Sequence, residues 1–341
     1  MINVAIIGAG RIGKVHAESI YTRVKGAKVV AIADPFLTEE TVSWAKGLGI
    51  ERCEKDYRPL LADKSIEAVL ICSSTDTHSA ISIEAAKAGK HIFCEKPIDH
   101  DVEKIKQVQA AVESAGVKYQ VGFNRRFDHN FMAARQAVES GSIGELNLLK
   151  IASRDPAPPP VSYIKVSGGL FLDMAIHDFD MVRYISGSEV EEVFAYGAVL
   201  VDGEIGNAGD IDTAIISMRL ENGALAVIDN CRRSAYGYDQ RLEAFGSLGQ
   251  ASVGNDTAAN LEIASEKGMI SQKPLYFFLE RYMDAYAREI KMFVDSLTND
   301  TPTPAGLKDG LMAVVVGLAA KESLDRHAPV KVKEILRKYN L

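Results

Sequence analysis

Three groups of residues in this chain have types and spacings suited to chemistry. The first centres on Lys96, in His91-Ile92-Phe93-Cys94-Glu95-Lys96-Pro97, where an apolar stretch stops at a charged pair followed by proline. Proline has no amide donor and confines the residue before it to extended geometry, so Lys96 leaves the chain in a defined direction. An ammonium held there can act on a hydroxyl or a carbonyl; the plain alternative is a surface lysine closing an ordinary strand. The second group is Gly8-Ala9-Gly10-Arg11-Ile12-Gly13, with Asp34 21 positions after Gly13. Glycines so spaced let backbone approach a phosphate closely at the start of a helix. The third is Asp173 with His177, four apart, which share one face of a regular helix. Histidine exchanges a proton near neutral pH, and a carboxylate can orient it. The same pair could bind a metal, but zinc normally needs three or more protein ligands and no Cys or Glu stands at ligand spacing, so no metal is expected.

The elements that must position these groups change character along the chain. Apolar, β-branched runs at Val4 to Ile7, Lys28 to Ala33, Ala68 to Cys72, His91 to Cys94 and Val117 to Val121 alternate with segments of helical character, such as Ser79 to Ala88 and Asp101 to Ser114. That alternation predicts a doubly wound parallel α/β sheet, because parallel neighbours need long crossovers. Beyond about residue 124 the pattern shifts. A helix over Asn130 to Glu139 leads to a strand over Leu146 to Ala152 and then to Asp155-Pro156-Ala157-Pro158-Pro159-Pro160, which must be an extended loop. A helix is expected from about Leu170 to Ile185. Strand-like runs follow at Val190 to Val201, Thr213 to Leu220, Ala224 to Asn230 and Leu242 to Phe245, with Glu221-Asn222-Gly223 as a hairpin turn. Helical patterns return at Leu279 to Leu297 and Leu311 to Leu324. The expected division is a Rossmann domain over residues 1–123 and an α+β domain with an open, mainly antiparallel sheet over 124–341, the C-terminal helices being free to pack back on the first.

In the first domain the glycine turn follows a strand directly and opens a helix, while Asp34 closes the next strand. This context turns a weak motif into a dinucleotide site. The Asp34 carboxylate suits ribose hydroxyls and repels a 2′-phosphate, and Pro35-Phe36 offers no compensating arginine, so NAD is expected over NADP. Ser73-Ser74-Thr75-Asp76-Thr77-His78 is a polar turn at the next strand end, suited both to capping a helix and to touching cofactor.

Bulk properties narrow the partners. With 47% apolar and 25% charged residues in 341, the chain can bury two cores. A net charge of -7 argues against nucleic acid and against a polybasic membrane anchor, leaving a small ligand. Cys53, Cys72, Cys94 and Cys231 have no metal-ligand spacing and read as buried hydrophobes in a reducing compartment. The chain enters its first strand at once, so a secretory leader is not expected, and the apolar run Leu311 to Ala320 is too short for a membrane span. A cytoplasmic location is the expectation.

Taken together, the glycine turn, Cys94-Glu95-Lys96-Pro97, Gly122-Phe123-Asn124-Arg125-Arg126-Phe127-Asp128 and Asp173-x-x-x-His177 resemble the glucose-fructose oxidoreductase, inositol dehydrogenase and rhizopine catabolism (Gfo/Idh/MocA) family over nearly the whole chain. Glu-Lys-Pro joined to Asp-x-x-x-His is the specific part. Ser153-Arg154-Asp155-Pro156 and Tyr236-Gly237-Tyr238-Asp239 most resemble its inositol-oxidising branch. The resemblance implies a catalytic set of Lys96, Asp173 and His177. Expected cofactor contacts are Gly8, Gly10, Arg11, Ile12, Gly13, Asp34, Ser74, Thr75, His78, Glu95, Lys96 and Asn124. Expected substrate contacts are Lys96, Asn124, Arg126, Asp155, Asp173, His177 and Tyr236. It also implies a homo-oligomer, a tetramer, built on the open sheet.

These residue types suit alcohol oxidation by hydride transfer to NAD, which needs a base tuned near neutrality and a positive partner for the developing oxyanion. His177 is the expected base, Lys96 the oxyanion partner and Asp173 the orienting acid; lysine and histidine could exchange roles. Oxidation of myo-inositol to its 2-keto product is the leading expectation. A scyllo-inositol or aldose dehydrogenase, and a non-catalytic NAD-sensing regulator, are the alternatives.

Overall fold

The computed structural model describes residues 1–341. They form two compact units, Met1–Phe127 with Met283–Val314, and Asp128–Tyr282 with Val315–Leu341. Met283–Val314 therefore folds with the first unit, whereas a division at residue 123 alone places it in the second.

The first unit is a six-stranded sheet of β1 (Ile2–Ile7), β2 (Ala27–Ala33), β3 (Arg52–Glu54), β4 (Ala68–Ile71), β5 (His91–Glu95) and β6 (Tyr119–Gly122), in the order β3-β2-β1-β4-β5-β6. Every pairing is parallel. The order reverses between β1 and β4, which is where such sheets bind ligands, at the carboxyl ends of their strands. The inner strands are apolar runs covered on both faces, and β4 is buried throughout. Only β3 escapes the sequence pattern, because Arg-Cys-Glu at a half-buried edge lacks an apolar signature. Helix Met283–Thr298 supplies Ile290, Phe293 and Val294 to the core that holds Val4, Ile6 and Phe93.

The second unit holds a seven-stranded sheet of β7 (Leu146–Arg154), β8 (Val190–Ala198), β9 (Thr213–Leu220), β10 (Leu225–Cys231), β11 (Asp239–Gly246) and β12 (Gln250–Val253), while β13 (Glu262–Ser265) and β14 (Gly268–Ser271) form a separate exposed hairpin. The two-residue strand β15 (Val330–Lys331) completes the order β12-β11-β7-β10-β9-β8-β15. Only β7 and β10 pair in parallel. The Glu221-Asn222-Gly223 turn joins β9 to β10 as an antiparallel hairpin. Along β9, Ala214, Ile216, Met218 and Leu220 are buried, and Ile215, Ser217 and Arg219 between them are exposed. One face is thus covered and the other open.

Two expected helices are interrupted. The pattern from Leu279 to Leu297 divides into Phe278–Arg281 and Met283–Thr298. The stretch expected as one helix from Leu170 to Ile185 begins as a π-helical turn, Leu170–Met174, where the Ala175 amide donates to the Leu170 carbonyl at 2.9 Å, and continues as a regular helix over Ile176–Ser186. The wide turn follows from how the chain enters it. Gly168 and Gly169 both have positive φ (88° and 75°), and a Cβ on Gly169 would lie 2.7 Å from the Asp210 carboxylate, which accepts a bond from the Leu170 amide at 3.1 Å. Asp173 and His177 are therefore on one short segment but not on one regular helix.

Candidate functional site

At the carboxyl edge of the first sheet the glycine turn is built by backbone approach. A Cβ on Gly8 would stand 2.5 Å from the Ser73 amide nitrogen, and one on Gly13 would stand 2.0 Å from the Gly8 carbonyl oxygen. Only glycine fits at either place. Gly10 differs: a Cβ there would meet nothing within 4 Å, leaving open space over the start of helix Arg11–Thr22, whose first turn has no side-chain cap. Uncapped amides facing open space are what a pyrophosphate requires. Arg11 and Gly10 are exposed and Ile12 half-buried at this edge. Asp34 accepts from the Ala9 amide at 2.7 Å through one oxygen and from the Phe36 amide at 2.8 Å through the other. Each carboxylate oxygen keeps a further lone pair, so the aligned group can still receive ribose hydroxyls. The residues present fit a dinucleotide.

The turn after β4 starts helix Thr75–Lys87, with Ser74 at the N-cap position but making no side-chain cap bond. Ser73 and Thr77 hydroxyls lie 2.6 Å apart. His78 departs from expectation: its ring is 1% exposed, with Nδ1 2.8 Å from the Pro97 carbonyl and Nε2 3.0 Å from the Ser73 carbonyl. The ring serves backbone in place of a cofactor. Lys96, half-buried, stands at the carboxyl end of β5. Glu95 beside it meets His16 Nε2 at 2.7 Å, and Glu289, wholly buried, lies 4.0 Å from the same nitrogen. These three could be mistaken for a metal set. The His16–Glu95 separation of 2.7 Å is that of a hydrogen bond, however, which engages the nitrogen a metal would need. Burial first, and the Glu95 charge second, raise the Glu289 carboxyl well above the usual carboxylate range.

Asn124 and Arg126 belong to a 3-10 turn, Asn124–Phe127, directly after β6. Both are buried. The Arg126 guanidinium donates to the Pro304 carbonyl at 2.9 Å and meets Asp309 at 2.9 Å, so much of its donor capacity is committed within the first unit rather than to a substrate.

In the second unit, Asp173 and His177 stand out by exposure. Between Leu170 and Arg183 every residue is buried except these two, which are half-buried. A polar pair opening from an otherwise sealed segment is the arrangement a substrate contact needs. Asp173 Oδ1 accepts from the Tyr163 hydroxyl at 3.0 Å, while Oδ2 lies 3.3 Å from Arg232 Nη1 and 3.4 Å from Nη2. Arg232 is 1% exposed and also faces Asp210 at 3.8 Å. This arginine was not singled out from sequence. It lies 59 positions from Asp173, and only the pairing of distant strands and turns brings them together. Asp178, fully buried beside His177 in sequence, accepts from Asn230 Nδ2 at 2.9 Å.

Asp155 continues from β7, its amide bonded to the Cys231 carbonyl at 3.0 Å. Tyr236 is held rather than free: its hydroxyl donates to Asp239 at 2.6 Å and accepts from Arg154 at 3.1 Å. Burial opposes charge on Asp239, but bonds from Arg241, Tyr236 and Asn255 outweigh it and hold its pKa at about 2. A second acid and histidine cluster, Asp128, His129 and Asp256, already has its cation, because Arg281 bonds both carboxylates at 3.1 and 2.8 Å.

Comparison with known proteins agrees with this layout. Residues 2–123 match the model of an oxidoreductase family with an NAD-binding Rossmann fold, and residues 131–252 match the GFO/IDH/MocA C-terminal domain. The chain is 48% identical over 336 residues to the myo-inositol 2-dehydrogenase of Thermotoga maritima, covering 98% of this chain and 100% of that protein. It is 42% identical over 333 residues to the inositol 2-dehydrogenase of Rhizobium meliloti, covering 97% and 99%. The scyllo-inositol dehydrogenase of Lactobacillus casei, solved with NAD(H) and scyllo-inositol, superposes with a TM-score of 0.90 at 33% identity, covering 98% of this chain and 99% of that one.

Proposed function

Because the chain belongs to the Gfo/Idh/MocA oxidoreductase family, we propose that it oxidises myo-inositol at C2 to the 2-keto product, with NAD as the hydride acceptor. Bound NAD supplies the electrophilic nicotinamide carbon that takes the hydride. The protein's residues handle the proton and the charge. In this reading His177 takes the hydroxyl proton, Lys96 stabilises the oxyanion that develops, and Asp173 orients the base and supports positive charge. The observation that carries it is the exposure of Asp173 and His177 alone in a sealed segment, in a chain 48% identical to a myo-inositol 2-dehydrogenase.

Arg232 and Tyr163 extend the expected set, since together they fix the Asp173 carboxylate from two sides. Asn124, Arg126, Asp155 and Tyr236 remain the proposed substrate contacts, with Arg126 and Tyr236 contributing through groups that are already oriented by Asp309 and Asp239. The cofactor contacts are those at the carboxyl edge of the first sheet, Gly8 to Gly13, Asp34, Ser74, Thr75, Glu95, Lys96 and Asn124.

The open face of the second sheet presents Tyr196, Ile215, Leu225 and Phe245, each between 45% and 65% exposed. An apolar face of this kind is best explained by assembly, and we take it as the surface of a homotetramer. No helix is long and apolar enough to cross a membrane. A cytoplasmic location fits the four free cysteines.

The reading is tested by following NADH absorbance with myo-inositol, scyllo-inositol and glucose. Turnover highest with myo-inositol is expected. Preference for another member of the panel would reassign the substrate, and tight NAD binding without turnover on any polyol would make the chain a regulator.

A further inference from the structure

His78 sits one turn into helix Thr75–Lys87 with its ring sealed from solvent. Both ring nitrogens face carbonyl oxygens, Pro97 at 2.8 Å and Ser73 at 3.0 Å. A carbonyl oxygen only accepts, and a neutral imidazole has a single N–H, so both distances are hydrogen bonds only when both nitrogens are protonated. A neutral ring would press one lone pair against a carbonyl lone pair in a buried site. The neighbouring side chain repeats the connection. Ser79 donates to Asp99 Oδ2 at 2.6 Å, and Asp99 Oδ1 accepts from the Asp101 amide at 3.0 Å. One helical turn therefore fastens both the end of β4 and the segment that follows Lys96.

We propose that His78 is a buried imidazolium acting as a positioning residue for Lys96, tying the Ser73 turn to the Pro97 turn and so fixing the backbone from which the lysine projects. Burial opposes the charge, but the Cys94 sulfur and the two carbonyls prevail and lift the ring to about 9. Cys94 on β5 is the titratable side chain that acts on the ring; Tyr119 on β6 in turn adjoins Cys94 and lies 3.2 Å from Ser82, and Asp99, which accepts from Ser79, has Lys104 at 3.6 Å. The positioning role rests on Lys96 being catalytic; the charge state does not.

The experiment has two arms on the full-length protein. Long-range ¹H–¹⁵N NMR of histidine-labelled wild type at pH 8 is expected to show a ring protonated at both nitrogens, and that signal should vanish in His78→Gln. A spectrum containing only singly protonated rings overturns the proposal, whether or not the variant folds. In the second arm, His78→Gln is expected to lower kcat on the order of 10²-fold, the scale for a misplaced reacting group, with NAD affinity nearly unchanged. In a Lys96→Ala background the same change should cost nothing further. An equal loss in both backgrounds would show that His78 does not act through Lys96. Absence of wild-type turnover would instead sink the dehydrogenase reading, leaving the NMR result to stand on its own.

Discussion

The two units place chemistry by different means. In the first, the glycine turn, Asp34, Ser74 and Lys96 each stand at the carboxyl end of a parallel strand, so sheet order alone gathers these candidate residues, and backbone builds much of the edge they share. In the second, Asp173 is held by Arg232 and Tyr163, and Tyr236 by Asp239 and Arg154, so the geometry depends on side chains brought together from distant strands and turns. A strand-end site is robust to side-chain change away from its few contacts. A side-chain network is fragile wherever one member is buried and charged.

The largest expected effect breaks both units alike. Lys96→Ala and His177→Ala should each lower kcat by orders of magnitude with NAD affinity largely intact, measured by initial rates and by cofactor titration. Next comes the network. Arg232→Ala leaves the Asp173 carboxylate without its buried cation and should destabilise the protein by about 3 kcal/mol in denaturant unfolding, beyond any loss of turnover. A change within the scatter of surface substitutions, roughly 0.5 kcal/mol, would show that the network is not what holds Asp173.

A strand-end substitution should be gentler. Asp34→Ser is expected to weaken NAD use and narrow the gap to NADP while leaving unfolding almost unchanged; unaltered selectivity in steady-state kinetics would remove Asp34 from the cofactor site. The smallest effect concerns Glu289. Its folded pKa is raised by burial and by Glu95, so the folded state keeps a proton that the unfolded chain releases near 4.5. Stability from this group therefore falls as pH rises above about 4.5, until the folded pKa is passed. Glu289→Gln should flatten that decline in melting temperature against pH, and an unchanged slope would show that Glu289 is ionised in the fold.

This contrast also explains what was legible in the sequence. Most strands of the first unit could be read, because apolar runs mark all but β3, and the glycine turn, Asp34, Ser74 and Lys96 each follow such a run. Even there, His78 reads in sequence as a cofactor contact, since nothing local reveals that Pro97, 19 positions on, claims its ring. In the second unit spacing singles out Asp173 and His177, yet the one regular helix expected over both opens as a π-turn around Asp173, set by Gly168, Gly169 and a distant Asp210, and only His177 lies on the regular helix. Arg232 carried no local signal. An arginine at the end of an alternating strand looks like any other until the fold supplies its partner.

The central claim is hydride removal from one ring carbon, and myo-inositol deuterated at C2 tests it most directly. With NAD and the wild-type protein, the account predicts that the reduced nicotinamide carries the deuterium and that the rate falls or holds without loss of label to water. Reduced cofactor free of deuterium, or none formed at all, would contradict it.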